Sequence, residues 1–242
     1  MPITTIHDHE RAAHGAADAC RHSLSLGLDV AGLDQTTDRY QLLLLVKRVG
    51  KQAGFTPRMI QLLDYYLAYT TAVDWEEGSR PIVFQSLGRT ALDLGVGERQ
   101  IQKLEKQLFD LGAITWNDSG NHKRFGRRDP KSGRLAYAFG VDLTPLAYLR
   151  EQLEAKLQEK QLYAEAWQSA KRTISTCRRQ LRELLTQSRE QGVNRTQLDE
   201  WEQKYEAIAF QLRTHIPLGE LRALLVRHRD LCQEITGVIG AG

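Results

Sequence analysis

The chain has 242 residues, with 33 Lys or Arg against 30 Asp or Glu and a net charge of +3, enough length for one sizeable core or two modest ones. Helix formers dominate and only six prolines occur, so a mainly α protein is expected. The scattered cysteines Cys20, Cys177 and Cys232, a start without a leader, and apolar runs no longer than 42–46 exclude a disulfide scaffold, secretion and a membrane span; a cytoplasmic protein is expected.

Residues 1–37 are polar, rich in Ala, Asp and His, and poorly periodic, which predicts a flexible N-terminal arm with a helical turn around 10–22 at most. His7, Asp8, His9, Glu10 and His14 read as solvated, because no helix fixes two of the histidines on one face. No metal or other cofactor is expected. Residues 40–52 predict a helix ended by Gly54. Thr56-Pro57 opens the next, with Thr as N-cap and Pro at the first helical position. Its broad apolar face of Met59, Ile60, Leu63, Tyr66 and Leu67 is expected to back the elements that follow. Residues 76–80 read as a loop and 82–84 as a short strand.

Leu87, Ala91 and Leu94 then recur at helical spacing. Gly95-Val96-Gly97 breaks the chain, and Ile101, Leu104, Leu108 and Leu111 resume the period on a helix ended by Gly112. Two short helices around a glycine turn have the pattern of a helix-turn-helix, whose second helix enters the major groove. Arg99, Gln100, Gln102, Lys103 and Lys106 fall opposite its apolar stripe. Arg and Gln can read base edges bidentately, and Lys takes phosphates. In isolation a solvated helix face explains such residues better; the segment that follows reverses the balance.

A strand begins at 114–116, and Leu135, Tyr137, Phe139, Val141 and Leu143 alternate with smaller or polar residues as a half-buried return strand. Between them, residues 121–134 carry six Lys or Arg against the single acid Asp129. The reading is a winged helix-turn-helix domain over 38–146 with a small β-hairpin wing. His122, Lys123, Arg124, Arg127, Arg128, Lys131 and Arg134 gather on the wing, and Arg89 and Thr90 on the first helix are further phosphate contacts. Cations packed so densely repel one another unless they meet a polyanion. About five phosphate contacts would make log K fall with log salt at a slope of roughly −4 to −5. Phe125 is expected to pack under the wing.

Residues 147–236 change character. Tyr163, Trp167, Ala170, Ile174, Cys177, Leu181 and Leu184 step by alternating fours and threes. After Gly192, Leu198, Trp201, Tyr205, Ile208 and Leu212 do likewise, and after Pro217 so do Leu218, Leu221, Leu225, His228, Cys232 and Ile235. Three such seams predict a long-helix bundle or coiled-coil extension, closed within the chain or between two chains. The flanking Lys171, Arg172, Arg178, Arg179 and Arg182 read as solvated. Residues 237–242 form a small-residue tail.

Several phrases carry a resemblance. Ile82-Val83-Phe84 precedes the paired helices, and residues 104–114 run from a helix through glycine into an apolar strand. Asp118-Ser-Gly-Asn-His-Lys-Arg-Phe125, Ala138-Phe-Gly-Val-Asp-Leu-Thr-Pro-Leu146 and Ile174-Ser-Thr-Cys-Arg-Arg179 follow. Over residues 55–190 or so, the chain resembles the N-terminal part of the RepC-type plasmid replication initiators of repABC plasmids. The resemblance implies binding to a plasmid replication origin and the start of copying, with host replication proteins as partners. Members generally continue into a second, C-terminal domain, which makes this chain a fragment or a shortened relative.

The expected function is therefore sequence-specific binding of double-stranded DNA at a plasmid origin. A winged-helix transcriptional regulator is the nearest alternative. A helical protein–protein interaction module, including a homodimer through the helical extension, is the alternative of another class. No phosphate-cradling glycine loop, nucleophile elbow or paired-histidine motif is present, so no enzyme is expected.

Overall fold

A computed structural model describes residues 32–240. The readings made for residues 1–31, including the histidine-rich group at 7–14, lie outside the described residues. The chain divides into two compact units after Leu157.

The first unit opens with α1 (Arg39–Val49), whose start is capped by the Asp38 carboxylate accepting from the Tyr40 and Gln41 backbone N–H groups. Residues 32–37, expected as the end of the arm, are tied down instead. Leu33 is buried and exchanges backbone hydrogen bonds with Ser79 and Gly78, and Thr37 N donates to Trp75 O at 2.8 Å. Helix α2 (Pro57–Ala68) begins as its Thr-Pro pair predicts, the Thr56 hydroxyl accepting from Met59 N. A short 3-10 turn (Ala72–Trp75) follows, and Asp74 within it accepts from Thr71 N at 2.7 Å.

Helices α3 (Leu87–Leu94) and α4 (Glu98–Asp110) are joined by Gly95–Gly97. Gly95 adopts the left-handed conformation at φ 64° that lets one helix stop and the next begin. Ala91, Ile101, Leu104 and Leu108 face the core, where Leu62, Leu63, Tyr66 and Leu67 of α2 meet them. Burying this stripe, rather than helix propensity, holds so short a pair in place.

Strands β1 (Ile82–Val83), β2 (Thr115–Asn117) and β4 (Leu135–Asp142) form an antiparallel sheet in the order β1-β4-β2. Strand β3 (Phe125–Arg128) pairs with the outer half of β4, in register Phe125 to Phe139 and Arg127 to Tyr137. The expected alternation along β4 is lost at its inner end, where Gly140, Val141 and Asp142 are all buried, as is Leu143 just beyond the strand. Toward the tip Ala138 is buried while Tyr137 is 49% exposed, because the small residues of the ribbon pack against the body. A Cβ on Gly126 would stand 2.9 Å from the Phe84 ring, and one on Gly140 only 2.2 Å from Val83 O. After β4, α5 (Thr144–Tyr148) starts with Thr144 donating to the Asp142 carboxylate from both its N–H and its hydroxyl, so Thr144 is not the expected accepting N-cap.

Helix α6 (Arg150–Glu190) begins on the first core, where Leu153 is buried and Leu157 packs; this carries the first unit beyond the 146 boundary read from the sequence. The second unit comprises the rest of α6, α7 (Arg195–Phe210) and α8 (Leu218–Ile239). Its three seams close on one another within one chain: Cys177, Leu181 and Leu185 of α6 share a core with Leu198 and Trp201 of α7 and with Leu231, Cys232 and Ile235 of α8. Ile174, Leu221 and Leu224 form a second cluster. Helix α8 runs through Ile239, so residues 237–239 of the expected tail are helical. No described helix is long and apolar enough to cross a membrane.

Candidate nucleic-acid interface

Period and packing orient α4. With Ile101, Leu104 and Leu108 turned inward, Arg99, Gln100, Lys103 and Lys106 are exposed and Gln102 is half-buried. Lys106 is partly spent on Asp110 one turn on, at 2.6 Å, and its ammonium lies over the Phe109 ring. Gln102 lines a cleft of about 430 Å³ together with Ser86 at the head of α3 and with His122, Lys123 and Arg124 from the loop before β3. The amide-bearing helix and the basic ribbon thus border one opening.

The ribbon's cations divide by strand parity. Lys123 and Arg127 are exposed, as is Lys131 in the turn, and among the described residues none of the three makes an ion pair. His122, held at φ 54°, is also exposed. Arg124 and Arg128 point the other way. The Arg124 side chain is 12% exposed and its Nη2 donates to both oxygens of the fully buried Glu105 carboxylate of α4, at 2.9 and 2.8 Å. The Tyr66 hydroxyl donates to the same carboxylate. Burial opposes the charge on Arg124, but facing Glu105 raises its pKa nonetheless; burial and then Glu105 push the Tyr66 phenol well up as well. Arg128 donates to both oxygens of the buried Asp74, at 2.8 and 2.7 Å, and also to Gly133 O. Arg134 pairs with Glu76 and donates to Ser79.

Two of the cations assigned to the wing, Arg124 and Arg128, therefore hold the ribbon to the body through ion pairs with buried carboxylates, and Arg134 is engaged in an exposed pair. Residues 129–133 form the turn of the ribbon, and Asp129 organises it by accepting from Lys131 N, Ser132 N and the Ser132 hydroxyl. On α3, Thr90 is fully buried, its hydroxyl donating to Ser86 O, and cannot reach a phosphate. Arg89 is exposed but pairs with Asp93 at 2.9 Å. Phe125 is 42% exposed rather than packed beneath the ribbon.

The sequence reading missed Tyr66, Asp74 and Glu105 as the residues that seat the ribbon. Glu105 lies four residues after Ile101, on the apolar stripe, and that position was a legible signal of a buried acid awaiting a partner. Asp74 carries no such signal; its partner is 54 residues away.

Comparison with known proteins bears on this arrangement. Residues 22–189 match the model of the replication protein C N-terminal domain, a longer stretch than the sequence phrases alone covered. A protein of Rhizobium rhizogenes is 27% identical over 206 residues, 83% of this chain and 49% of its own length. One of Sinorhizobium fredii (strain NBRC 101917 / NGR234) is 24% identical over 167 residues, 66% of this chain and 40% of its own. Both are named "Putative replication protein C", and the chain spans less than half the length of each. No solved structure matches the chain. With more than half of its residues matched by the family's N-terminal domain, the chain belongs to the replication protein C family, the RepC-type replication initiators.

Proposed function

We propose that the first unit binds double-stranded DNA as a winged helix, at a plasmid replication origin, and that it initiates copying without catalysis of its own. Family membership supports a role in plasmid replication. The observation that carries the DNA reading is the shared cleft: Gln102 of α4 and Lys123 of the ribbon line one opening, so a single duplex can meet both. In this reading Arg99, Gln100, Gln102 and Lys103 face base edges from the major groove, and Lys123, Arg127 and Lys131 grip phosphates, with His122 beside them. Arg124, Arg128 and Arg134 act indirectly, by fixing the ribbon.

The test is a binding series with labelled fragments tiled across the cognate plasmid, repeated with Lys103→Ala and Arg127→Ala. One region should be preferred strongly, and both variants should weaken binding to it. Equal affinity for every fragment would defeat the sequence-specific part of the proposal. Undiminished binding by both variants would defeat the proposed surface.

A further inference from the structure

The outer face of the β3–β4 ribbon carries aromatic rings that the fold does not use. Phe125 and Tyr137 are 42% and 49% exposed, and packing against the body falls to Gly126 and Ala138 on the other face. The Phe125 ring lies 5.0 Å from Phe139 and 6.2 Å from Tyr137, centre to centre, so three rings form one surface. Arg127, exposed and without an ion pair among the described residues, stands in register opposite Tyr137 on the same face. A cleft of about 390 Å³ opens beside Tyr137 and Phe139, with Asn117 and Arg134 among its lining. The ribbon beneath is clamped by the Arg124–Glu105 and Arg128–Asp74 pairs, so the surface is preorganised.

We propose that this face is a stacking platform for the bases of an unpaired DNA strand. Duplex DNA offers a groove only the edges of its bases; their faces are covered by one another. An unpaired strand exposes those faces, and aromatic rings beside a cation are how proteins hold them without sequence preference. Charge as well as shape selects this occupant: Arg127 among the rings, with Lys123 earlier on the ribbon, suits a phosphate backbone threaded past stacked bases. The inference rests on the DNA-binding reading and adds a second mode to it. Strand separation at the site of duplex binding would supply the ligand.

The experiment measures binding of the full chain to a fluorescent 20-nucleotide oligo-dT and, separately, to a duplex fragment preferred in the tiling series. Phe125→Leu and Tyr137→Leu keep apolar bulk but remove the ring. Each should weaken oligo-dT binding by roughly 5- to 150-fold and leave duplex affinity unchanged. Phe125→Trp should retain oligo-dT binding, and the new indole should be quenched by it. The platform is overturned if the protein binds duplex but not oligo-dT, if both leucine variants bind oligo-dT normally, or if they lose duplex and oligo-dT in equal measure. Failure to bind either DNA overturns the duplex reading together with this one.

Discussion

Arg124 of the ribbon and Glu105 of α4 are 19 residues apart in sequence and share a buried ion pair at 2.8 Å. This contact joins the base-reading candidate helix to the phosphate-gripping candidate ribbon, with Tyr66 of α2 closing the group from below. A buried pair of this kind adds little net stability over an apolar replacement, yet breaking it leaves a charge without water or partner. Its value here is positional.

Arg124→Met should therefore destabilise the first unit by about 3–5 kcal/mol, and Glu105→Leu by a comparable amount. The double variant Glu105→Leu/Arg124→Met should recover much of the loss. Urea denaturation of the set measures this, and full additivity of the two single losses in the double variant would show that the pair is not coupled. DNA binding by the refolded double variant should still be impaired, because the ribbon would no longer be held in register with α4.

Salt dependence should separate the two classes of cation. With Lys123, Arg127 and Lys131 as the ribbon's phosphate contacts, the ribbon contributes a slope of about −3 in log K against log salt rather than the roughly −4 to −5 expected of about five contacts. Alanine at any one of the three should flatten the slope by about 1, whereas Arg134→Ala should leave it unchanged. Titrations between about 50 and 200 mM salt measure this. A flattened slope for Arg134→Ala would return that residue to the interface.

Two glycines set how closely the ribbon approaches the body. Gly126→Ala forces the Phe84 ring or the ribbon to move by a few tenths of an ångström, and should cost about 1–3 kcal/mol. Gly140→Ala should cost more, since its Cβ would meet the Val83 carbonyl, which belongs to the backbone of β1. Thermal melts of the pair check the order; a Gly140→Ala protein as stable as wild type would refute the close approach.

In the second unit, His228 is fully buried, its Nδ1 lies 2.7 Å from Leu224 O, and its Nε2 has no hydrogen-bond partner. Burial, and after it the nearby Arg178 charge, outweigh that bond and lower its pKa below the ordinary 6.5. The unfolded chain then takes up a proton that the folded unit refuses. Stability from this residue is complete above about pH 6.5 and is lost as pH falls below it. Melting followed by circular dichroism should show a lower transition at pH 5.5 than at pH 7.5, and His228→Gln should reduce the difference. An identical pH response in the variant would assign the effect elsewhere.

Much of this molecule is legible in its residues one by one. Thr56-Pro57 opens a helix, Gly95 and Gly97 punctuate two more, and the threes and fours from Ala170 to Ile235 predict three helices that bury one side each. Local sterics and periodicity act within a few residues, so a linear reading captures them. Where the ribbon's arginines point is a different matter. Arg124 and Arg127 look alike in a charge count, but one faces Glu105 and the other solvent. That choice is made by strand parity, by the interruption between β2 and β3, and by carboxylates buried up to 54 residues away. Composition alone marked this segment as basic; only the folded chain, by burying Glu105 and Asp74 beneath it, decided which cations neutralise the protein's own acids and which remain for a polyanion.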